Sequence, residues 1–476
     1  MLICSVDKPK TSKVKKSVST ATYYFNTSGP QVVYKGQQKQ PRPAAQGEQW
    51  KQNIGGKVDK TDEDVARIFE LIEAIMVKSH RESAKLFLDS YLIPLMIRLL
   101  RNDCIENIKL RSRVYIPLFN LLSTMAKQGQ ASIFFSRADE LNSPTLKRRR
   151  TDLDISASIY ELVEVVSKQA SIYLNFAKGA VGTSNNDLAL QTVCVAIVNA
   201  LEDLNEGRKG IRVRNTSTAP PFDLVMKPFS FLYIPLTSGK DFHPANYIFA
   251  NEVNRIVADH GRTLHIAREL ASLSTSIPCN NEASIFVRVD EDRNDVIKIL
   301  MSGPIGTPYA NGLYEFDILL PGDYPRVPPK VTFRTTDKSR VRFNPNLYNC
   351  GKVCLSLLGT WSGDPWIPNV STILQVLISI QALILVDRPY FNEPGYGAPC
   401  DNPQSNAYSA NIRKECMTVA ILKMIQNPPF AFLDVVHSYF RLKRDEILAQ
   451  IEEWCVKDNN ATRTIVEQLK TELSKL

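Results

Sequence analysis

The chain has 476 residues, 44% hydrophobic and 22% charged, with a formal net charge of +9. That length exceeds one domain and supplies ample apolar content for a core. Nine cysteines, at 4, 104, 194, 279, 350, 354, 400, 416 and 455, form no Cys-x-x-Cys pair and no zinc-ligand spacing, which sets aside disulfide-stapled and structural-zinc classes for a reduced intracellular chain, cytoplasmic or nuclear. Met1 to Thr20 lacks the apolar run of a secretory signal, and the longest apolar stretch, Ile373 to Val386, is too short to span a bilayer; no membrane partner is expected.

Residues 1–60 hold eleven Lys and Arg against three acids, a net of +8. The segment is also rich in Ser, Thr, Gln and Gly, and reads as a disordered basic tail. Its charge suits weak contact with nucleic acid or acidic surfaces, but no aromatic-basic interleaving argues for specific RNA recognition. Lys8, Lys10, Lys13, Lys15 and Lys16 are candidate self-modification targets. Residues 61–207 read as helical: Thr61 with Asp64 forms a capping pattern, and Val65, Ile68, Phe69, Ile72, Ile75 and Met76 follow helical spacing. Further runs cover Glu82–Leu100, Asn107–Gln128, Asp152–Phe176 and Asp187–Asn205, with Pro94 and Pro117 expected to interrupt two of them. Such pairs stack either as an armadillo-like array or as a plain bundle, and no clean repeat period decides between them. Lys147-Arg148-Arg149-Arg150 reads as a solvated loop or a nuclear-import patch.

Residues 208–244 read as a linker with Pro220, Pro221, Pro228 and Pro235. A helix is expected from about Asn246 to Ser274, then strands at Ser284–Val289, Val296–Met301, Leu313–Leu320 and Lys330–Thr335. The fold class is therefore α/β (α+β) with a short antiparallel sheet over 245–400. Ile373 to Val386 is expected as a long buried helix. Asn402–Gln426 and Pro429–Trp454 read as amphipathic helices of a C-terminal extension, 401–476, and Val456–Leu476 as polar and helix-prone.

The most specific stretch runs from Phe343 to Ser356: an Asn-Pro-Asn turn, Asn344 to Asn346, then a cysteine eight residues on, Cys354, preceded by Gly-Lys-Val and followed by Leu-Ser-Leu-Leu. An isolated cysteine reads first as a core thiol. The surroundings argue otherwise. Tyr324-Pro-Arg-Val-Pro-Pro-Lys-Val-Thr-Phe333 and Gly303-Pro304, Thr307-Pro308-Tyr309, Gly312 precede it in order. No histidine lies between Arg268 and Val436, so no local imidazole is available for Cys-His catalysis.

These four pieces, at this spacing, resemble the ubiquitin-conjugating enzymes, whose motif pairs His-Pro-Asn with Gly-x-Ile/Val-Cys-Leu. Asn344 stands where the family usually has His. That departure, together with Leu357 to Asn369 and Val386 to Tyr396, is similar to the subgroup of large conjugating enzymes that double as ligases, among them giant BIR-repeat members. The Cys-Cys-His-Cys set of a BIR module is not seen, so caspase inhibition is not carried over. The likeness runs from about Arg268 to Trp454.

The resemblance implies that Cys354 carries ubiquitin's C-terminal carboxyl as a thioester and passes it to a substrate lysine. Sulfur suits this because a thiolate is both nucleophile and leaving group. Asn346 is implied to stabilise the oxyanion of lysine attack, or to hold the loop that does. Glu393 stands at the family's acidic gate, where a carboxylate orients the incoming lysine and eases its deprotonation; a solvated loop acid is the plainer reading. Arg255, Arg262 and Arg268 are implied contacts for the ubiquitin-activating enzyme. Arg326, Pro368 and Asn369 are implied ligase contacts, with Arg326 where many members have an apolar residue, which suits an enzyme working without a separate ligase. No cofactor is implied, since ATP is used by the activating enzyme, and no metal. Two other readings stay open: an inactive binding module on a helical scaffold, and a carrier of another ubiquitin-like modifier.

Overall fold

The computed structural model describes residues 21–26, 29–34, 60–78, 90, 92–135, 157–177, 185–208, 221–238, 246–257 and 259–476. The tail lysines Lys8 to Lys16, the basic run Lys147 to Arg150, His80 and His243 lie outside them. Residues 1–58 and 59–476 form two compact units.

The first unit contains an antiparallel hairpin, β1 (Ala21–Asn26) with β2 (Gly29–Tyr34), registered from Ala21 opposite Tyr34 to Asn26 opposite Gly29. A tail without structure was expected there. The difference lies in composition: Thr-Tyr-Tyr-Phe and Val-Val-Tyr are strong strand formers joined by a two-residue connection, and the charge count of the whole segment hid them.

In the second unit the helices run Lys60–Lys78, Leu92–Leu100, Ile105–Leu110, Ser112–Met125, Ile159–Ala177 and Asn185–Arg208. The run expected over 107–128 is split at Arg111, whose φ/ψ of −113°/30° leaves the helical region. Pro94 falls in the first turn of its helix, where a missing N–H costs nothing. Pro117 sits inside Ser112–Met125 without ending it. The first helix packs on Ser112–Met125, which packs on Asn185–Arg208, which packs on Ile159–Ala177. Ile159–Ala177 in turn lies along His260–Ser276.

The helix expected from Asn246 begins only at His260, where the Asp259 carboxylate accepts the Arg262 amide at 2.7 Å and caps it. A short helix, Ala250–Val253, and irregular chain precede it. The sheet has the order β3-β4-β5-β6-β7, with β3 at Phe231–Ile234, β4 at Ile285–Asp290, β5 at Val296–Ser302, β6 at Leu313–Leu319 and β7 at Lys330–Phe333. The last four strands form the antiparallel meander that was expected. β3, from the expected linker, pairs parallel with β4 and makes the sheet mixed. A parallel pair needs a crossover, and His260–Ser276 lies in it.

Both faces of β4, β5 and β6 are buried. One face is apolar, with Val287, Ile299 and Phe316 in register. The other carries the row Arg288, Lys298 and Asp317, and charges buried there need partners. Lys298 Nζ lies 2.5 Å from Asp317, 2.7 Å from Glu315 and 2.8 Å from the Asn246 carbonyl. Burial opposes the Lys298 charge, but the two carboxylates outweigh it and hold its pKa above the usual lysine value. Arg288 donates to the Ala431 and Phe229 carbonyls and pairs with Asp434 at 2.9 Å. Asp290 accepts the amides of Leu236 and Thr237. These bonds fasten 229–237 and 429–434 across the sheet.

The C-terminal part runs Ile373–Ser379, continued as a wider turn to Ile384, then Pro403–Glu415, Leu433–Leu442, Arg444–Lys457 and Arg463–Leu473. Thr372 and Gln375 cap the first of these reciprocally. No single helix among the described residues is long and apolar enough to cross a membrane.

Replacing Lys298 by Met should cost about 3–5 kcal/mol, because the part-buried Glu315 loses its cation and the buried Asp317 keeps only the Arg334 guanidinium, at 3.4 Å. Urea unfolding of the variant against the parent checks this; a loss under about 1 kcal/mol would show that Arg334 alone holds the site.

Candidate functional site

Cys354 stands at the base of a tight hairpin. Leu347 pairs with Val353, Tyr348 N donates to the Lys352 carbonyl at 3.0 Å, and Cys354 N donates to the Asn346 carbonyl at 2.9 Å. Alternation puts Leu347 and Val353, both buried, on one face, and Asn346, Cys354, Tyr348 and Lys352 on the other. Gly351 closes the turn at φ +92°, where a Cβ would come within 2.8 Å of the Phe333 carbonyl. Phe333 N donates to the Gly351 carbonyl at 2.8 Å, which fastens the hairpin to β7. The Thr360 hydroxyl donates to the Val353 carbonyl at 2.8 Å and accepts the Leu355 amide at 3.0 Å, fixing the chain just beyond the cysteine.

Asn346 is 8% exposed and Cys354 2%. The Asn346 Nδ2 group donates to the Cys354 carbonyl at 2.9 Å, while its Oδ1 is buried and accepts no hydrogen bond among the described residues. The amide is thus held by one end, directly against the cysteine.

Asn344 lies behind it, fully buried. Its Oδ1 accepts the Asn346 amide at 2.8 Å and Asn392 Nδ2 at 3.3 Å; its Nδ2 donates to the Ile384 carbonyl at 2.8 Å and to the Tyr309 hydroxyl at 3.0 Å. The Tyr309 hydroxyl in turn donates to the Phe343 carbonyl at 2.8 Å. Arg342 reaches along the same turn. It donates to the Pro345 carbonyl at 2.6 Å and the Asn344 carbonyl at 3.3 Å, and its guanidinium lies 4.3 Å over the Tyr348 ring. It also pairs with Glu393 at 3.8 Å, on the loop that brings Asn392 to Asn344. The structure therefore brings Asn346, Cys354 and Glu393 to one neighbourhood. Arg342, Asn392 and Tyr309 join them, and no motif pointed to these roles.

A family model described as ubiquitin-conjugating enzyme matches residues 265–420. Human "Dual E2 ubiquitin-conjugating enzyme/E3 ubiquitin-protein ligase BIRC6" is 47% identical over 243 residues, covering 48% of this chain and 5% of that protein. A probable ubiquitin-conjugating enzyme protein 17 from Caenorhabditis elegans is 47% identical over 219 residues, covering 44% of this chain and 30% of its own length. Residues 265–420 are a ubiquitin-conjugating domain. An Arabidopsis thaliana "Putative ubiquitin-conjugating enzyme E2 38" is 44% identical over 220 residues, covering 44% of this chain and 64% of that protein. The chain thus spans only a part of each of these relatives. The domain is similar to the one in the BIRC6 protein.

The other expected contacts of the conjugating domain divide. Arg262 is 6% exposed. It donates to the carbonyls of Pro321 and Leu320 and pairs with the buried Asp295 at 3.0 Å. It is an interior strut, and the expectation that it meets the activating enzyme is corrected by its burial. Its position, four residues before Ile266 and eight before Leu270 on the buried stripe, carried that signal. Arg268 pairs with Asp187 and, at 3.4 Å, with Glu106, both on the preceding helices. Arg255 is exposed, in the turn after Ala250–Val253 rather than on the long helix.

Arg326, Pro368 and Asn369 are exposed on two loops that meet: Trp366 Nε1 donates to the Pro325 carbonyl at 2.9 Å, and its ring lies 5.7 Å from Tyr324. Arg326 pairs with Asp323 at 2.8 Å. Ile367 and Val370 are exposed beside Pro368 and Asn369. Beneath them the Glu269 carboxylate accepts the Tyr324 hydroxyl and the Ile373 amide. Burial pushes Glu269 up to about 7, against the pull of these two bonds. His265, on the same helix, rests against Glu269 and Tyr324, with burial lowering its pKa.

A carboxyl raised in the fold contributes stability that is complete below its ordinary pKa and is lost as pH rises through the raised one. From Glu269 the window is about pH 4.5 to 7. Tm should therefore carry a falling component from pH 5 to 8, and Glu269→Gln should flatten it. An unchanged slope in the variant would place the titration elsewhere.

Proposed function

We propose that this chain accepts ubiquitin's C-terminal carboxyl as a thioester on Cys354 and transfers it to a lysine amine of a protein substrate. The observation that carries this reading is the pairing of Cys354 with Asn346 across one hairpin, bonded through the cysteine's own amide and carbonyl. In the first step the sulfur attacks the carbonyl of the activating enzyme's thioester, whose thiolate leaves. In the second the lysine nitrogen attacks the Cys354 thioester, an oxyanion forms, and the sulfur departs as thiolate. The Asn346 amide keeps a second N–H beyond the one given to the Cys354 carbonyl. A donor preorganised beside a forming oxyanion lowers the barrier, and its loss costs about 100- to 1000-fold. Glu393, which pairs with Arg342 beside the turn at 3.8 Å, receives the lysine's proton in this reading.

ATP is consumed by the activating enzyme, so the chain uses no cofactor of its own. Arg255, exposed before the long helix, is the remaining contact proposed for that enzyme. The exposed loops bearing Arg326, Pro368 and Asn369 are the proposed ligase face. Arg326 there, where many members of the family are apolar, supports a conjugating and ligase hybrid, as does the likeness to a relative named as both.

Incubation with activating enzyme, ATP and ubiquitin should give a reductant-sensitive adduct of the full chain. Cys354→Ser should give a reductant-stable oxyester instead, because oxygen is the poorer leaving group. A normal, reductant-sensitive adduct on Cys354→Ala would move the carrier to another thiol such as the exposed Cys350. Loading by activating enzymes for other modifiers but not for ubiquitin would change the modifier and leave the thioester chemistry standing.

A further inference from the structure

We infer that Arg342 is a positioning residue for lysine transfer: one guanidinium ties the turn that carries Asn346 to the carboxylate of Glu393. The inference rests on the thioester reading above. Three segments meet at this side chain. Its Nη2 donates to the Pro345 carbonyl at 2.6 Å and its Nε to the Asn344 carbonyl at 3.3 Å, so two edges of the planar fork lie on the turn just before Asn346. The Nη2 group also faces Glu393 at 3.8 Å, on the loop whose Asn392 bonds Asn344. The flat face stacks 4.3 Å over Tyr348, two residues beyond Asn346 in the hairpin. The Tyr408 phenol borders the same pair: burial pushes it up to about 12, Arg342 pulls it down and Glu393 pushes it up.

The geometry requires arginine. A lysine ammonium is a point charge and cannot satisfy two carbonyls, a carboxylate and a ring face at fixed angles. Arg342 and Glu393 are each about two-fifths exposed, at 42% and 41%. An ion pair between such groups adds little to stability. The bracket therefore does little for the fold as a whole. What it fixes is the distance between the Asn346 turn and the Glu393 carboxylate. A misplacement of about 1 Å in such a constellation costs on the order of 100-fold in rate.

The test uses the full chain and separates charging from discharge. Arg342→Ala, Arg342→Lys, Glu393→Gln and the double variant Arg342→Ala/Glu393→Gln are charged with ubiquitin. Single-turnover discharge to free lysine is then followed from pH 6.5 to 9, with Tm measured in parallel. Charging of Arg342→Ala should stay within about twofold of the parent, while its discharge should fall about tenfold or more, with the pH profile of Glu393→Gln. The double variant should be no slower than the slower single one, since both changes break one unit, and Arg342→Lys should fall between parent and Arg342→Ala. Discharge at the parent rate by Arg342→Ala, additive losses in the double variant, or equal loss of both steps with a fall in Tm would each overturn the inference alone. A parent chain that forms no thioester would overturn the functional reading itself, and this inference with it.

Discussion

The site depends on one buried amide. Asn344 has no exposed surface and bonds at all four corners: to the turn it opens, to Tyr309 from the loop before β6, to the end of Ile373–Ile384 and to Asn392. A buried amide with an unpaired edge loses roughly 1–3 kcal/mol, so these four partners hold one another in place. The Asn346 amide leans on the first of them, and Cys354 leans on Asn346. Because an amide does not titrate, this support is independent of pH in a way that the family's usual histidine is not.

Elsewhere the interior of the sheet is more polar than its small size ordinarily allows. Arg288, Lys298, Asp317 and Asp290 occupy a face covered by 229–237, 246–248 and 429–434. Each charge finds a carboxylate or a backbone group, which is the condition for burying it at all. The long helix His260–Ser276 is enclosed in the same way. It packs on Ile159–Ala177, Gln169 donates to Thr275, and Arg268 reaches acids on two helices of the preceding region. The preceding helices thus meet the conjugating domain along the helix that family resemblance assigns to the activating enzyme.

Much of this was legible in the sequence, and where it was not the reasons are physical. The four meander strands were read to within one or two residues because their alternation and turn residues agree. Asn346 and Cys354 were singled out from the Asn-Pro-Asn turn and the cysteine spacing, but the hairpin that bonds one to the other was not foreseen. β3 was missed because four residues set off by Pro228 and Pro235 look like linker, and only the parallel partner β4 makes them a strand. Arg262 was misread because charge suggested surface, while its place on the Ile266–Leu270 stripe and the buried Asp295 decided otherwise. Arg342 left no local signal. Asn344, Pro345 and Tyr348 lie within six residues of it, but Glu393 is fifty-one residues away, and proximity of that kind is a property of the fold.

The central claim is that the Asn344 amide assembles the transfer site rather than merely filling space. It is tested most directly by single-turnover lysine discharge from charged Asn344→Leu compared with charged Asn344→His. Leucine keeps the volume and loses every bond; histidine keeps a donor and an acceptor. The account predicts that Asn344→Leu still forms the Cys354 thioester but discharges at least about tenfold more slowly, while Asn344→His stays near the parent rate. Equal discharge by parent and Asn344→Leu would contradict it.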